Sequence, residues 1–346
     1  MRNKLIYIIS IVVLFLIGFF IAQNYNEEVK TVKRTRILLG TLVDIQVRNS
    51  NMETAEDAIS KAFDEIKRID KLFTVLDQGT VWELNQEKDS VIIVDDEIYN
   101  MAVLCDSLYK LSSGNFDAAI GTLINLWGFD KKTSGLPSDS DIKKALLKSG
   151  WKNVKLSGKN GLLRTADVRF NFSAAAKGYA VDRAIDVLKN AGIEEALVNA
   201  GGEIKAAGGN WIIGVQHPDK ATEIIKKIKL EDISVATSGD YENYFEKDGI
   251  RYHHLLNPKT GYPAKEVRSV TVIHKNNAFA DAMATAVFVL GREKGIVPRS
   301  GIPRNRPFNL TPHKRSSTMS LKDFNVGPCT LRSMPFWCVG NPLGDP

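Results

Sequence analysis

Residues 171–182, NFSAAAKGYAVD, read as a short polar strand end, a run of small residues and a lysine that opens a helix. The small side chains of Ser173, Ala174, Ala175 and Ala176 let backbone come close to a ligand. Free N–H groups at a helix start attract anions, and Lys177 adds a full positive charge there. That combination suits a phosphate or pyrophosphate, so the chain is expected to handle a phosphorylated cofactor.

Outward from this stretch, apolar periodicity predicts helices over 52–73, 96–111, 139–149, 177–190 and 281–290. Strands are predicted over 35–47 (with Gly40 as a bulge), near 154–156 and 168–170, and over 196–199, 211–215, 233–237, 251–256 and 269–274. Helices and strands are interspersed and several strand pairs have hairpin spacing. The expected fold class is α+β, with mixed, largely antiparallel sheets and packed helices.

The formal charge of +6 is uneven: residues 297–346 hold seven basic and two acidic residues, so the rest is nearly neutral and carries no footprint for nucleic acid. That tail also holds eight of the twelve prolines and no periodicity. It is expected to be either disordered or the product of a reading-frame change near Ile296.

At the other end, residues 5–22, LIYIISIVVLFLIGFFIA, are uncharged and follow Arg2 and Lys4. Eighteen residues at helical rise cover roughly 27 Å, about a hydrocarbon core. The basic flank keeps the N-terminus in the cytoplasm and sends the body outside. The expectation is one N-terminal transmembrane anchor within residues 1–23, favoured over a cleaved signal peptide. A linker over 24–36, a catalytic domain over 37–296 and the tail follow. The body has one cysteine, Cys105, in an apolar helical pattern, which excludes a disulfide framework and a cysteine-rich zinc site there.

Four further clusters carry chemistry, each with a plainer reading. In residues 114–129, GNFDAAIGTLINLWGF, the Phe116 ring with Asn115 and Asp117 beside it suits a purine or flavin, but Phe116 and Trp127 equally suit a core. Ala200-Gly201-Gly202-Glu203 permits close backbone contact with a ligand, or is a plain turn. His253 and His254 sit in one predicted hairpin with a Thr237-Ser238 pair. Only one should face a given site, as a proton acceptor, and a structural histidine is the plainer alternative. Asp281 and Thr285, four residues apart on a helix, offer hard oxygen ligands on one face for Mg²⁺; alternatively Asp281 complements the helix dipole.

Taken in order, LLGTLVDI, FTVLDQGTVWELN, GNFDAAIGTLINLWGF, NFSAAAKGYAVD, ALVNAGGEI, VATSGDYENYF, YHHLLNPKTGYP and ADAMATAVFVLG resemble the ApbE family, the FAD:protein FMN transferases, from about Leu38 to Gly295. The resemblance implies an Mg²⁺-dependent enzyme that cleaves the FAD pyrophosphate, transfers FMN to a threonine or serine hydroxyl of a target flavoprotein and releases AMP. Binding of FAD without transfer, or its hydrolysis, are the alternatives. Carried over by position, His254 is the implied base. Leu39, Val75, Asn115, Phe116, Asp117, Asn171, Lys177 and the backbone of Leu256 are implied at FAD. The carbonyl of Ala174 with Asp281 and Thr285 is implied at the metal. The family often has Met at position 39, an aromatic at 75 and Asp at 171. The resemblance also implies an acceptor in a membrane or extracellular redox system, at the outer face of the cell membrane.

Overall fold

The computed structural model describes residues 29–129, 136–165 and 167–295, together with Tyr7, Val13 and Phe15. The expected membrane anchor and the tail over 297–346 fall outside the described residues, apart from those three positions. Among the described residues no helix is long and apolar enough to cross a membrane.

Strand β1 (Lys30–Leu38) pairs antiparallel with β2 (Thr41–Asn49), so the expected single strand with a bulge at Gly40 is instead a hairpin. Its two-residue turn puts both Leu39 (φ 55°) and Gly40 (φ 70°) in the left-handed region, the geometry that matches strand twist. β1 also begins at Lys30, inside the stretch expected to be linker. On β2, Val43, Ile45 and Val47 alternate into the core.

Helix α1 (Met52–Phe73) follows, started by the Asn51 side chain accepting from Thr54 N. Its buried Ala55, Ala58, Ile59, Ala62, Phe63, Ile66 and Ile69 form one apolar stripe. Then come α2 (Thr80–Leu84), β3 (Val91–Ile93), α3 (Asp96–Leu111), α4 (Gly121–Trp127), α5 (Asp139–Leu147), β4 (Val154–Ser157), β5 (Gly161–Arg164) and α6 (Ser173–Asn190). After these run β6 (Glu195–Ala200), β7 (Glu203–Ala207), β8 (Trp211–His217), β9 (Lys220–Leu230), β10 (Ser234–Gly239), β11 (Tyr244–Lys247), β12 (Ile250–His253), β13 (Ser269–His274) and α7 (Asn277–Gly295).

A six-stranded sheet runs in the order β1-β2-β6-β7-β10-β13, with a three-stranded sheet β3-β5-β4 and two ribbons, β8-β9 and β11-β12. Every pairing among these strands is antiparallel. Helix α6 lies against α1, α7, β6 and β7. The α+β class with antiparallel sheets and packed helices is therefore the observed one.

Two local expectations are corrected. Residues 168–170 are not a strand: Phe170 exchanges both backbone bonds with the side chain of Asn85 (Nδ2 to O 2.9 Å, N to Oδ1 2.7 Å), so its polar groups need no strand partner. Helix α6 starts at Ser173 rather than Lys177. Asn171 Oδ1 accepts the Ser173 N–H at 3.0 Å, and the alanines that follow are strong helix formers.

The contact that matters for the site is between α6 and α7. Asp182 Oδ2 accepts from the N–H groups of Asn277 and Ala278 at 2.8 and 3.0 Å, which closes the start of α7. Asp182 Oδ1 meets Lys205 Nζ at 2.5 Å. One turn earlier, Gly178 lets the two backbones touch, since a Cβ there would lie 2.4 Å from the Asn277 carbonyl oxygen. In a free helix Gly→Ala stabilises by about 1 kcal/mol. Here Gly178→Ala should instead destabilise by about 1–3 kcal/mol by forcing α7 away, measured as a lower midpoint in urea.

Candidate active site

The first turns of α6 carry Asn171's cap and Lys177. Expected to open the helix, Lys177 instead lies in its second turn, and its ammonium does not join the helix-start amides. Those amides are largely taken: Ser173 N–H bonds Asn171, and Ala175 and Ala176 N–H both bond the Phe172 carbonyl at 2.9 Å. Lys177 Nζ sits between the two carboxylate oxygens of Glu203, 2.9 Å from each, with Glu242 at 4.0 Å. Glu203 is 1% exposed at the start of β7, just after the Gly201-Gly202 turn.

This is a dense set of charges. Burial pushes Glu203 up to about 8; Lys177 opposes that, and Asp281 and Glu242 add to it. Burial works against the Lys177 charge, but Glu203, Asp281 and Glu242 together hold its pKa above the ordinary range. Asp281, in the second turn of α7, is also buried and raised to about 6, with Lys177 and the Gly178 N–H pulling it back. Asp281 and Lys177 thus share one site, as the sequence reading required.

The bond from Gly178 N to Asp281 Oδ2 (3.0 Å) is the one hydrogen bond that carboxylate accepts among the described residues. In a regular helix the Gly178 N–H would serve the Ala174 carbonyl. Thr285, one turn beyond Asp281, meets Ser238 Oγ of β10 at 3.2 Å. Among the described residues no group of three or more His, Cys, Asp or Glu side chains could hold a metal. A hard cation nevertheless fits a buried, half-satisfied carboxylate with hydroxyl and carbonyl oxygens nearby.

The two histidines, the last residue of β12 and the one after it, differ in their bonds. His253 is buried, with Nε2 2.7 Å from the Ala264 carbonyl, Nδ1 accepting from Leu255 N at 3.3 Å and its ring edge-on to Phe288. Both its nitrogens are used. His254 Nδ1 is 3.1 Å from the Asn243 carbonyl, which can only accept, so Nδ1 carries the hydrogen and Nε2 presents a lone pair. Burial lowers His254 to about 4, opposed by the Asn243 bond and reinforced by the charge of Lys177. It is a neutral base at neutral pH.

The residues implied at FAD lie on several segments. Leu39 N donates to Asp70 Oδ2 (3.1 Å) in the last turn of α1, and Val75 follows that turn. Phe73 then packs edge-on against Phe172 and Tyr179 of α6. The Asn171 N–H donates to the Ala118 carbonyl at 2.8 Å, joining the 115–117 loop to α6. Leu256 is buried, bridges Pro263 through its backbone and clusters with Trp127.

The Phe116 ring is 2% exposed and packs within the main core, the plainer of the two readings of that residue. Asn115 donates to the Ser112 carbonyl at 2.7 Å. Asp117 accepts from Trp151 N (2.9 Å) and Ala119 N (2.8 Å) and is raised to about 6 by burial, against those bonds. Sequence reasoning passed over Glu242 and gave Glu203 and Ser238 no role of their own. The signal for Glu203 was a charge directly after paired glycines, but its partner is 26 residues away.

The buried pair has a measurable pH signature. Lys177→Met should cost about 3 kcal/mol near pH 8, because it strands Glu203. Without Lys177, the folded-state pKa of Glu203 rises further above its unfolded value. Its contribution is then full below pH 4.5 and lost as pH rises toward and through about 8. The variant's deficit against wild type should widen from pH 5 to pH 8 in urea unfolding.

Residues 39–297 match the family model described as the ApbE family. The chain is 29% identical over 310 residues to the FAD:protein FMN transferase of Vibrio cholerae serotype O1, covering 86% of this chain and 90% of that one. It is 30% identical over 318 residues to the FAD:protein FMN transferase of Treponema pallidum, covering 84% and 87%. Its structure superposes on the crystal structure of the ApbE protein from Thermotoga maritima with a TM-score of 0.72 at 35% identity, over 76% of this chain and 88% of that one. With the match running through every element that builds the Lys177–Glu203–Asp281 cluster, the chain belongs to the ApbE family.

Proposed function

We propose that this chain transfers FMN from FAD to a threonine or serine hydroxyl of a target flavoprotein, with Mg²⁺, and releases AMP. The observation that carries the reading is the convergence of a cation (Lys177), a carboxylate with an oxygen to spare (Asp281) and a neutral imidazole (His254). The relatives bearing the name FAD:protein FMN transferase align over most of their length.

The chemistry needs a hydroxyl aligned with the FMN-side phosphorus and its proton removed. His254 Nε2 accepts that proton as the hydroxyl oxygen bonds phosphorus and the bond to the AMP oxygen breaks. Lys177 neutralises part of the pyrophosphate charge, and Glu203 fixes the ammonium until the anion arrives. Asp281, Thr285 and the Ala174 carbonyl would hold Mg²⁺, which supplies further charge neutralisation at the phosphates. The buried Asn171, whose side chain accepts the Ser173 N–H, helps set the start of α6, while Leu39, Val75, Asn115, Asp117 and the backbone of Leu256 frame the remainder of FAD.

The apolar sequence over 5–22 with its basic flank supports a membrane anchor that places the body on the extracytoplasmic side. The acceptor would then be a flavoprotein of a redox system on that face.

Incubation with FAD, Mg²⁺ and a threonine-bearing acceptor should give flavin that stays on the acceptor after denaturation. AMP with free FMN would mean hydrolysis, and bound FAD without AMP would mean a binding protein; either result rejects transfer. His254→Gln should lower the transfer rate by roughly 10²–10⁴-fold while FAD still binds. Because Asp281 must be ionised to hold the cation, the Mg²⁺ concentration for half-maximal transfer should rise as pH falls through about 6.

A further inference from the structure

The β8–β9 ribbon has two unlike faces. Trp211 and Ile213 of β8, with Leu230 and Ile228 of β9, turn inward onto Leu197, Ala206 and Val235, and Val215 is buried too. The opposite face is exposed and pairs Ile212 with Lys229 and Gly214 with Lys227. Ile224 lies over Gly214, where a Cβ would come within 2.6 Å of its Cδ1. Ile212 is 70% and Ile224 58% exposed. Neither Lys227 nor Lys229 has a carboxylate partner among the described residues. Two unpaired ammonium groups interleaved with two exposed isoleucines make a cationic and apolar plane.

Its position says what covers it. The Arg48 guanidinium stacks 4.1 Å above the Trp211 ring and pairs with Glu195 at 2.9 Å. In the main sheet Arg48 lies opposite Thr31, one residue from the start of β1. The ribbon therefore stands beside the point where the chain enters the body. Seven residues, 23–29, separate that point from the apolar stretch over 5–22, a reach of at most about 25 Å.

We infer that this face of the ribbon docks on the anionic bilayer in which residues 5–22 are anchored, with Lys227 and Lys229 at lipid phosphates and Ile212 and Ile224 in the interface. The inference rests on the anchored reading above. Docking would fix the orientation of the body over the membrane, so that the short tether does not leave it free to tumble. An acidic protein surface would satisfy the lysines but leaves the nearness of the chain entry unexplained.

The test is lysine footprinting by acylation and mass spectrometry on the full chain. The chain is reconstituted in vesicles of phosphatidylcholine alone or with phosphatidylglycerol, with Lys155 of the separate three-stranded sheet as internal reference. Labelling of Lys227 and Lys229, relative to Lys155, should fall at least about threefold with the anionic lipid and recover in high salt. Ile224→Glu should abolish that protection and leave FMN transfer to a soluble acceptor unchanged. A chain that stays with carbonate-washed vesicles but labels equally in both lipids overturns docking and leaves the anchor standing. Release from the vesicles by carbonate overturns both. Protection that appears only when an acceptor protein is added, whatever the lipid, also overturns docking.

Discussion

The site depends on three reciprocal hydrogen bonds between two helices. Asp182 on α6 accepts the first amides of α7, and Asp281 on α7 accepts an amide of α6 at Gly178. Each helix supplies the carboxylate that meets the other's backbone. The two axes cannot slide without breaking bonds at both ends, and the buried carboxylates have no water to turn to instead. Gly178 makes the approach possible, and the Asn171 cap sets where α6 begins. Lys177 is thereby held next to Asp281, and the main sheet brings Glu203 to it from β7.

Electrostatics then decide what the cluster can bind. Three carboxylates and one ammonium at close range leave the site short of positive charge. Burial raises Glu203 to about 8 and Asp281 to about 6, and for Glu203 the neighbouring carboxylates add to it. On the proposed function, a divalent cation would relieve that shortage and leave a balanced partner for a diphosphate. His254, neutral because burial and Lys177 both oppose its charge, is left as a base rather than as a further cation.

Much of this was legible in the sequence where one local rule governs. The α1 stripe, α3 with its Asp95 cap and strand β13 all lie where periodicity put them. Strand alternation left one histidine for a site, the resemblance pointed to His254, and the ring bonds show that His253 has both nitrogens engaged. What was not legible depends on partners far along the chain. The Phe170 backbone is satisfied by Asn85, which no strand pattern reports. The Leu39-Gly40 turn was read as a bulge because its non-glycine left-handed residue gave no signal. β9, KATEIIKKIKL, mixes lysines with isoleucines on a ribbon whose outer face is open, and no strand was assigned to it. Phe116 is an aromatic that packing, not chemistry, claimed. The role of Lys177 as an anion contact was read from its neighbours in sequence, whereas its environment is set by Glu203.

The central claim is that Lys177 and Asp281, through its cation, grip one pyrophosphate linkage together. A double-mutant cycle on FAD affinity, with Lys177→Met, Asp281→Asn and the combination titrated in saturating Mg²⁺, tests it directly. Joint grip requires the combined loss to differ from the sum of the single losses by about 0.5–3 kcal/mol. Losses that add within experimental error would place the two residues on separate parts of the ligand and contradict the account.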